Sequence, residues 1–174
     1  MEEATVEELT GTVLKTFDSG EIHVDPEGDW FYQGNRITRE DILEFFLDHL
    51  VASDNNSYEI VWKDQRCPVV VDDTPFVIAR VDRQSGDAQT GEQFILSLRH
   101  LSGNEVLNPA TLRVGKNNVL YANVRSSCHL ARFSRPAYYQ LAAYIQEDAE
   151  TGQFYLEING ERHAIDFSPH DSEC

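Results

Sequence analysis

The sequence predicts an α+β fold in which a unit of one helix and one β-hairpin occurs twice. Two amphipathic segments, starting near Thr38 and near Ser134, each lead into two strand-like segments joined by a polar turn. Placing Thr38 over Ser134 gives an offset of 134 − 38 = 96 residues, and caps, apolar stripes and turns then coincide without a gap. The segment between the two units has β character throughout.

The chain before the first helix is predicted to form short strands. The pattern favours strands at 12–17, 21–24 and 29–32, with turns at 18–20, 26–28 and 33–36. Proline suits the second position of a turn, and glycine tolerates a positive φ. Residues 1–10 are polar and acidic, and we expect them to form either a short helix or a frayed terminus.

The first helix is expected to begin at Thr38, whose hydroxyl can cap it, with Asp41 completing a near capping box. Its predicted apolar stripe consists of Ile42, Phe45, Phe46 and Leu50. The helix is expected to end in the polar run 53–57. Strands at 58–63 and 67–71 should then form a hairpin.

The middle and end of the chain repeat this alternation. Strands are predicted at 75–81, 93–98, 111–114 and 119–124, with a flexible loop at 85–91. Ser134 should cap the second helix, whose predicted apolar stripe consists of Tyr138, Leu141, Ala142 and Ile145. Asn159-Gly160 predicts a hairpin between strands at 154–158 and 162–167.

The repeat suggests two domains of similar design. Three arginine pairs coincide at the offset of 96, Arg36 with Arg132, Arg39 with Arg135 and Arg66 with Arg162. We expect an N-terminal α+β half at 1–73 and a C-terminal half at 74–174, with the middle strands bridging both and a flexible tail at 168–174.

Charge limits the classes of partner. The 174 residues include 30 acidic and 14 basic side chains, a formal net charge of −16. Nucleic acid and anionic membrane surfaces attract clustered Lys and Arg, so neither is an expected partner. An acidic start, the absence of a membrane-length apolar run, and an odd count of three cysteines indicate the cytoplasm.

Four stretches resemble a bacterial family catalogued as domain of unknown function 1285. They are Gly20–Phe31, Arg36–Arg39, Val71–Val77 and Ser134–Tyr139, in the order of that family. The resemblance extends from about Gly20 to Phe167. It implies an α+β fold built from repeated halves, and it supplies neither an activity nor catalytic residues.

Metal binding is not expected, because the candidate ligands lack the necessary spacing. Asp25, Glu27 and Asp29 alternate like a calcium loop, but Trp30 stands where such a loop needs glycine, so a hairpin turn is favoured. Cys67, Cys128, His129 and His163 include no Cys-x-x-Cys pair. No metal and no cofactor is predicted.

Two groups of residues are the candidates for binding. Arg36, Arg39, Arg132 and Arg135 could hold an anion between the halves, or could form structural ion pairs with the abundant carboxylates. The consecutive aromatic residues Trp30, Phe31 and Tyr32, and the adjacent Tyr138 and Tyr139, should leave some rings exposed for a ligand or partner.

The favoured function is therefore a non-enzymatic module, a regulatory or signalling adaptor that binds a small molecule or a protein as a monomer or homodimer. The alternative is a hydrolase-like enzyme in which Asp72 or Asp73 acts with His129 or His163. Active sites assemble in space, so the sequence leaves this alternative open.

Overall fold

The computed structural model of the chain describes residues 21–53 and 57–167. The chain divides into two compact units, Met1–Pro75 and Phe76–Cys174. The predicted strand at 12–17, the expected short helix or frayed terminus at 1–10 and the expected flexible tail at 168–174 lie outside the described residues. The predicted domains, 1–73 and 74–174, stay a prediction. In the described ranges no helix is long and apolar enough to cross a membrane.

The first unit is a mixed β-sheet with a helix against one face. The elements are β1 (Ile22–Val24), β2 (Trp30–Tyr32), β3 (Asn35–Arg36), α1 (Glu40–Asp48), β4 (Leu50–Ser53), β5 (Ser57–Trp62) and β6 (Gln65–Val71). The strand order is β3-β2-β1-β6-β5-β4. Neighbouring strands are antiparallel except β1 and β6, which run parallel with Ile22 opposite Val69.

Alternation along the strands places one apolar face under α1. Val24 is paired with Trp30 across β1 and β2, and both side chains are fully buried. The ring of Trp30 lies 5.9 Å from that of Phe46 on α1. Phe45 packs edge-on against Trp62 at 5.1 Å. The helix is thus held on one face of the sheet by aromatic contacts to β2 and β5, the second strand from each edge.

The start and end of α1 differ from the prediction. Arg39, not Thr38, is the residue before the helix, and no side chain caps its first turn. The helix ends at Asp48, and Leu50, which we expected on the helical stripe, begins β4 opposite Ile60. Leu50 is still buried, because the edge strand turns it to the same core.

The second unit contains two sheets and one α-helix in its described part. Its elements are β7 (Phe76–Ser85), β8 (Glu92–Leu98), β9 (Asn104–Val106), β10 (Arg113–Val114), β11 (Leu120–Val124), β12 (His129–Phe133), α2 (Arg135–Ala142), β13 (Ile145–Glu147), β14 (Phe154–Ile158) and β15 (Glu161–Ala164), with 3-10 turns at Pro109–Thr111 and Lys116–Asn118. The strand orders are β10-β11-β12-β7-β8-β9 and β13-β14-β15.

The two units share a repeated connectivity. In each, three antiparallel strands precede the helix and three follow it, β1-β2-β3-α1-β4-β5-β6 in the first and β10-β11-β12-α2-β13-β14-β15 in the second. The first strand of each repeat has a parallel neighbour at the end of the repeat. His23 pairs with Val70 in β6, and Arg113 forms a bridge to Asp166, just after β15. The predicted α+β fold with a duplicated unit is confirmed.

The second helix is capped as predicted but buries a different face. The Ser134 hydroxyl accepts a hydrogen bond from the Ala137 amide at 3.4 Å. Ala137 and Leu141 face the core, whereas Tyr138, which we placed on the apolar stripe, is 38% exposed. The small Ala137 side chain lets the helix approach β7, where the Gln140 side chain accepts a hydrogen bond from the Val81 amide at 2.8 Å.

The hairpin after β14 also follows its sequence signal. Asn159 and Gly160 have φ values of 53° and 79°, the combination that a type I′ turn requires. Five strands, β3, β4, β9, β12 and β13, were not predicted. Each is at most five residues long, and each pairs with a strand that the sequence did predict.

The burial of Trp30 leads to a stability prediction. Trp30→Ala should lower the free energy of unfolding by about 3–5 kcal/mol, the usual cost of removing a large buried aromatic ring. Nε1 of Trp30 is buried without a hydrogen-bond partner among the described residues, so Trp30→Phe removes no hydrogen bond and should cost about 1–2 kcal/mol. Urea denaturation followed by circular dichroism measures both. Equal decreases in the free energy of unfolding for Trp30→Ala and Trp30→Phe would contradict this prediction.

Candidate functional site

The aromatic run on β2 divides between core and surface. Trp30 is fully buried and therefore unavailable to a partner, which corrects its place among the candidate binding residues. Phe31 and Tyr32 are half-buried, and the ring of Phe31 lies 6.1 Å from that of His23 on β1. Alternation along a strand explains this division, since Trp30 and Phe31 point to opposite faces of the sheet.

The two candidate arginines of the first unit form ion pairs. A terminal nitrogen (NH2) of Arg36 lies 2.7 Å from Oδ1 of Asp29. Arg39 makes a two-point contact with the carboxylate of Asp41, and this contact holds the pKa of Asp41 below its ordinary value. Both guanidinium groups are therefore already paired with carboxylates. This arrangement matches the alternative in which these arginines form structural ion pairs.

The candidate arginines of the second unit lie at the end of β12 and the start of α2. Arg132 is half-buried, opposite Tyr121 on β11 and Val77 on β7. Arg135 is exposed in the first turn of α2. Within the part of the chain that the structure describes, its side chain has no hydrogen bond and no ion pair.

One face of α2 presents three of the candidate residues together. Arg135, Tyr138 and Tyr139 are spaced i, i+3 and i+4, which places them on the same side of a helix. The exposed fractions of Tyr138 and Tyr139 are 38% and 66%, and the rings contact each other edge to face at 5.4 Å. We call Arg135, Tyr138 and Tyr139 the α2 face.

The corresponding positions of the first repeat are filled differently. At the offset of 96, Tyr138 and Tyr139 stand where Ile42 and Leu43 stand in α1, and both of those are buried. Ala137 stands where Asp41 pairs with Arg39. The second helix has therefore lost both the apolar cover and the carboxylate partner of the first.

A histidine–carboxylate pair that the sequence did not indicate lies on the first unit. Nε2 of His23 is 2.9 Å from Oδ1 of Asp72, and both side chains are partly exposed. The parallel pairing of His23 with Val70 brings Asp72, two residues further on, to the same face of the sheet. Only knowledge of that pairing could have identified the contact.

The other candidates for chemistry are separated. Asp25 accepts hydrogen bonds from the amides of Glu27 and Asp29, at 3.0 and 2.9 Å, which supports a hairpin turn. Nε2 of His163 is 4.0 Å from Glu161, and Cys128 lies exposed in the β11–β12 turn. In residues 21–53 and 57–167, no three His, Cys, Asp or Glu side chains form a group that could hold a metal ion.

The β11–β12 turn has an unusual backbone and a half-buried histidine beside it. Arg125, Ser126 and Ser127 all have positive φ, at 54°, 60° and 66°. A carboxylate oxygen of Glu105 accepts a hydrogen bond from the Arg125 amide at 2.7 Å. The ring of His129 packs against Phe76 at 5.0 Å, and burial, followed by the charge of Arg125, lowers the pKa of His129.

These observations define the class of the chain as an α+β protein built on a duplicated strand–helix–strand unit. No family model and no curated protein matches it. A solved DUF1285 family protein from Silicibacter pomeroyi DSS-3 has the same fold, with a TM-score of 0.69 at 18% sequence identity, covering 95% of this chain and 97% of that one. The resemblance seen in the sequence is thereby supported.

A second solved structure agrees over a shorter range. A DUF1285 family protein from Shewanella baltica OS155 has a TM-score of 0.56 at 16% identity, covering 72% of this chain and 93% of that one. Identities this low establish the shared fold and nothing about activity. Function must therefore be argued from the side chains of this chain.

The lowered pKa of His129 gives a pH prediction. The pKa of His129 is lower in the folded chain than in the unfolded chain, so the unfolded chain binds the proton more readily. The free energy of unfolding therefore falls as the pH drops below about 6.5, the pKa of a histidine in an unfolded chain. His129→Gln should therefore reduce the loss of stability between pH 7.5 and pH 5.5. Urea denaturation at constant ionic strength tests this. An unchanged pH dependence in the variant would contradict it.

Proposed function

We propose that this chain is a non-enzymatic adaptor, regulatory or signalling in role, that binds a protein partner through the α2 face. The supporting observation is that Arg135, Tyr138 and Tyr139 share one exposed side of a helix whose counterpart in the first repeat is packed and ion-paired. Exposed tyrosine and arginine clusters are the side chains that most often dominate protein interfaces.

Charge indicates the chemistry of the partner. Carboxylates outnumber basic side chains in the chain by 30 to 14, and six arginines form ion pairs within the described residues, Arg36, Arg39, Arg66, Arg80, Arg83 and Arg162. No side chain among residues 21–53 and 57–167 occupies the donors of Arg135, which supports their use by a partner. We infer a protein segment that presents a carboxylate to Arg135 and apolar side chains to the two tyrosine rings.

The other candidate residues have smaller roles in this proposal. Arg36 and Arg39 would have to exchange an existing carboxylate for a ligand, while Arg132, Phe31 and Tyr32 are half-buried or part of strands. The proposal places the protein in the cytoplasm as a monomer or homodimer, away from nucleic acid and membrane surfaces, because its acidity disfavours both.

Site-specific photo-crosslinking in the source cells tests the α2 face. The full chain carries p-benzoylphenylalanine at Tyr139 or, as a matched control in the same unit, at Phe154, which is 37% exposed. We expect a discrete protein adduct from Tyr139 alone, with the contact mapped by mass spectrometry to a segment that combines carboxylates with apolar side chains. Adding Arg135→Glu should reduce the adduct about tenfold, since the substitution replaces attraction by repulsion.

Two outcomes of this experiment count against the proposal. Equal adducts from positions 139 and 154 would indicate non-specific capture. An adduct that Arg135→Glu leaves unchanged would show that the α2 face does not select the partner by charge. A folded variant, checked by circular dichroism, is required in both cases, and Arg135 is exposed enough for the substitution to leave the fold intact.

The second candidate function is a hydrolase-like enzyme, and the His23–Asp72 pair is the observation that favours it. A carboxylate that hydrogen-bonds one imidazole nitrogen can orient the ring as a general base. Purified protein assayed with p-nitrophenyl acetate should then show turnover that His23→Asn abolishes and His163→Asn preserves. Activity unaffected by His23→Asn would eliminate this pair as its source.

A further inference from the structure

A cleft of about 390 Å³ lies in the second unit, at the end where three of its segments meet. Arg83 and Glu92 line it from the β7–β8 hairpin, Ala143, Tyr144 and Gln146 from the chain after α2, and Glu157, Asn159 and Gly160 from the β14–β15 hairpin. Sites for small ligands occupy about 300–1,000 Å³, so this cleft has room for a compact molecule. None of its residues belongs to the α2 face.

The walls of the cleft are joined by hydrogen bonds from side chains. The Asn159 amide group bridges the backbone of Glu92, with Oδ1 accepting from the Glu92 amide at 2.7 Å and Nδ2 donating to its carbonyl at 3.1 Å. Tyr155 donates its hydroxyl to Oε1 of Gln146 at 3.0 Å. These bonds hold the tip of the β14–β15 hairpin and β13 in place. Ligand binding therefore costs less conformational entropy of the protein.

Tyr144 connects the two charged ends of the cleft. The guanidinium carbon of Arg83 lies 5.0 Å from the centre of the Tyr144 ring, and Phe94 supports that ring edge-on at 5.2 Å. Glu157 lines the same cleft as Arg83 and Tyr144, and Glu92 does so as well. The Tyr144 ring therefore lies in a cleft that contains one guanidinium group and two carboxylates.

Both charged groups keep capacity for further hydrogen bonds. Arg83 is paired with Glu92 through one terminal nitrogen and also hydrogen-bonds to the side chain of Tyr144, so a ligand carboxylate would use the remaining N–H donors of a side chain that is 46% exposed. Glu157 lies 3.6 Å from Nε of Arg162, an ion contact longer than an ordinary hydrogen bond, and its side chain is 42% exposed. The amide nitrogen of Gln146 can also donate, since its oxygen alone is bonded to Tyr155.

We propose that this cleft binds a small zwitterion of the amino-acid class. The ligand carboxylate hydrogen-bonds to Arg83, the ligand ammonium group hydrogen-bonds to Glu157, and the side chain of the ligand packs along Tyr144. A ligand with a single charge would satisfy only one end of the cleft and leave the opposite charge without a new partner. This site is independent of the protein-binding role proposed for the α2 face.

Thermal denaturation of the full chain with each of the twenty common amino acids, followed by calorimetric titration, tests the proposal. We expect at least one amino acid to raise Tm in a saturable way, because a ligand that binds only the folded state stabilises it. Butylamine and butyrate, which each carry one of the two charges, should bind at least about tenfold more weakly.

Two variants and a matched control assign the binding to the cleft. Glu157→Gln keeps the shape of the side chain and should raise the Kd of the amino acid about tenfold. Glu161→Gln, on the adjoining strand β15 with a side chain that is 78% exposed, should leave the Kd unchanged. Arg83→Lys retains the positive charge while losing the planar donors, and should also weaken binding.

Three results would overturn the proposal. One is the absence of a Tm increase with all twenty amino acids. Another is binding of butylamine or butyrate as tight as that of the amino acid, which would show a site for a single charge. The third is equal Kd values for Glu157→Gln and Glu161→Gln, which would place the ligand elsewhere. Crosslinking at Tyr139 is unaffected by any of these results, so the two proposals are tested separately.

Discussion

The parallel contact that closes each repeat, between β1 and β6 in the first and between Arg113 and Asp166 in the second, is the constraint on which the rest of the fold depends. A hairpin forms between neighbours in sequence, but parallel strands need a long connection. In the first unit, Ile22 meets Val69 and Val24 meets Val71 only if β2, β3, α1, β4 and β5 all fit between them. Pairing β1 with β6 therefore fixes the sheet order and the burial of α1 together. The bridge from Arg113 to Asp166 imposes the same closure on the second repeat.

Local signals in the sequence identified the elements that depend on neighbouring residues. Ser134 caps α2, and Asn159-Gly160 forms a two-residue turn, because each of these interactions involves residues at most three positions apart. The helix boundary near Asp48 was missed because the apolar pattern continues from α1 into β4 without glycine or proline. Tyr138 was assigned to the core because it continues the helical spacing of Leu141 and Ala142, whereas the residue that packs against the sheet is the smaller Ala137.

The exposure of candidate site residues could be predicted where two large side chains are neighbours in the sequence. Two tyrosines side by side on a helix leave at least one ring outside the core, and Tyr138 and Tyr139 are both exposed. Contacts between residues that are far apart in the sequence could not be predicted, because they depend on which strands pair. His23 meets Asp72 through a parallel pair of strands, and Arg83 reaches Tyr144 from the β7–β8 hairpin, far away in the sequence. Trp30 was misjudged because three consecutive aromatic residues do not reveal which face of a strand lies inward.

Comparison of the two repeats shows how a duplicated unit can hold its fold while one copy gains a surface. In the first helix, Ile42 and Leu43 cover the sheet and Asp41 neutralises Arg39, so these positions contribute to stability alone. In the second helix, Ala137 and Leu141 suffice for packing, and Gln140 replaces a missing strand neighbour by accepting the Val81 amide. Because backbone closure and these few contacts hold α2 in place, Tyr138, Tyr139 and Arg135 are released from a structural role. Tyr138 and Tyr139 are exposed beside an arginine that has no ion pair among the described residues, so these side chains add little to the core, and the recognition role proposed for the α2 face would account for them.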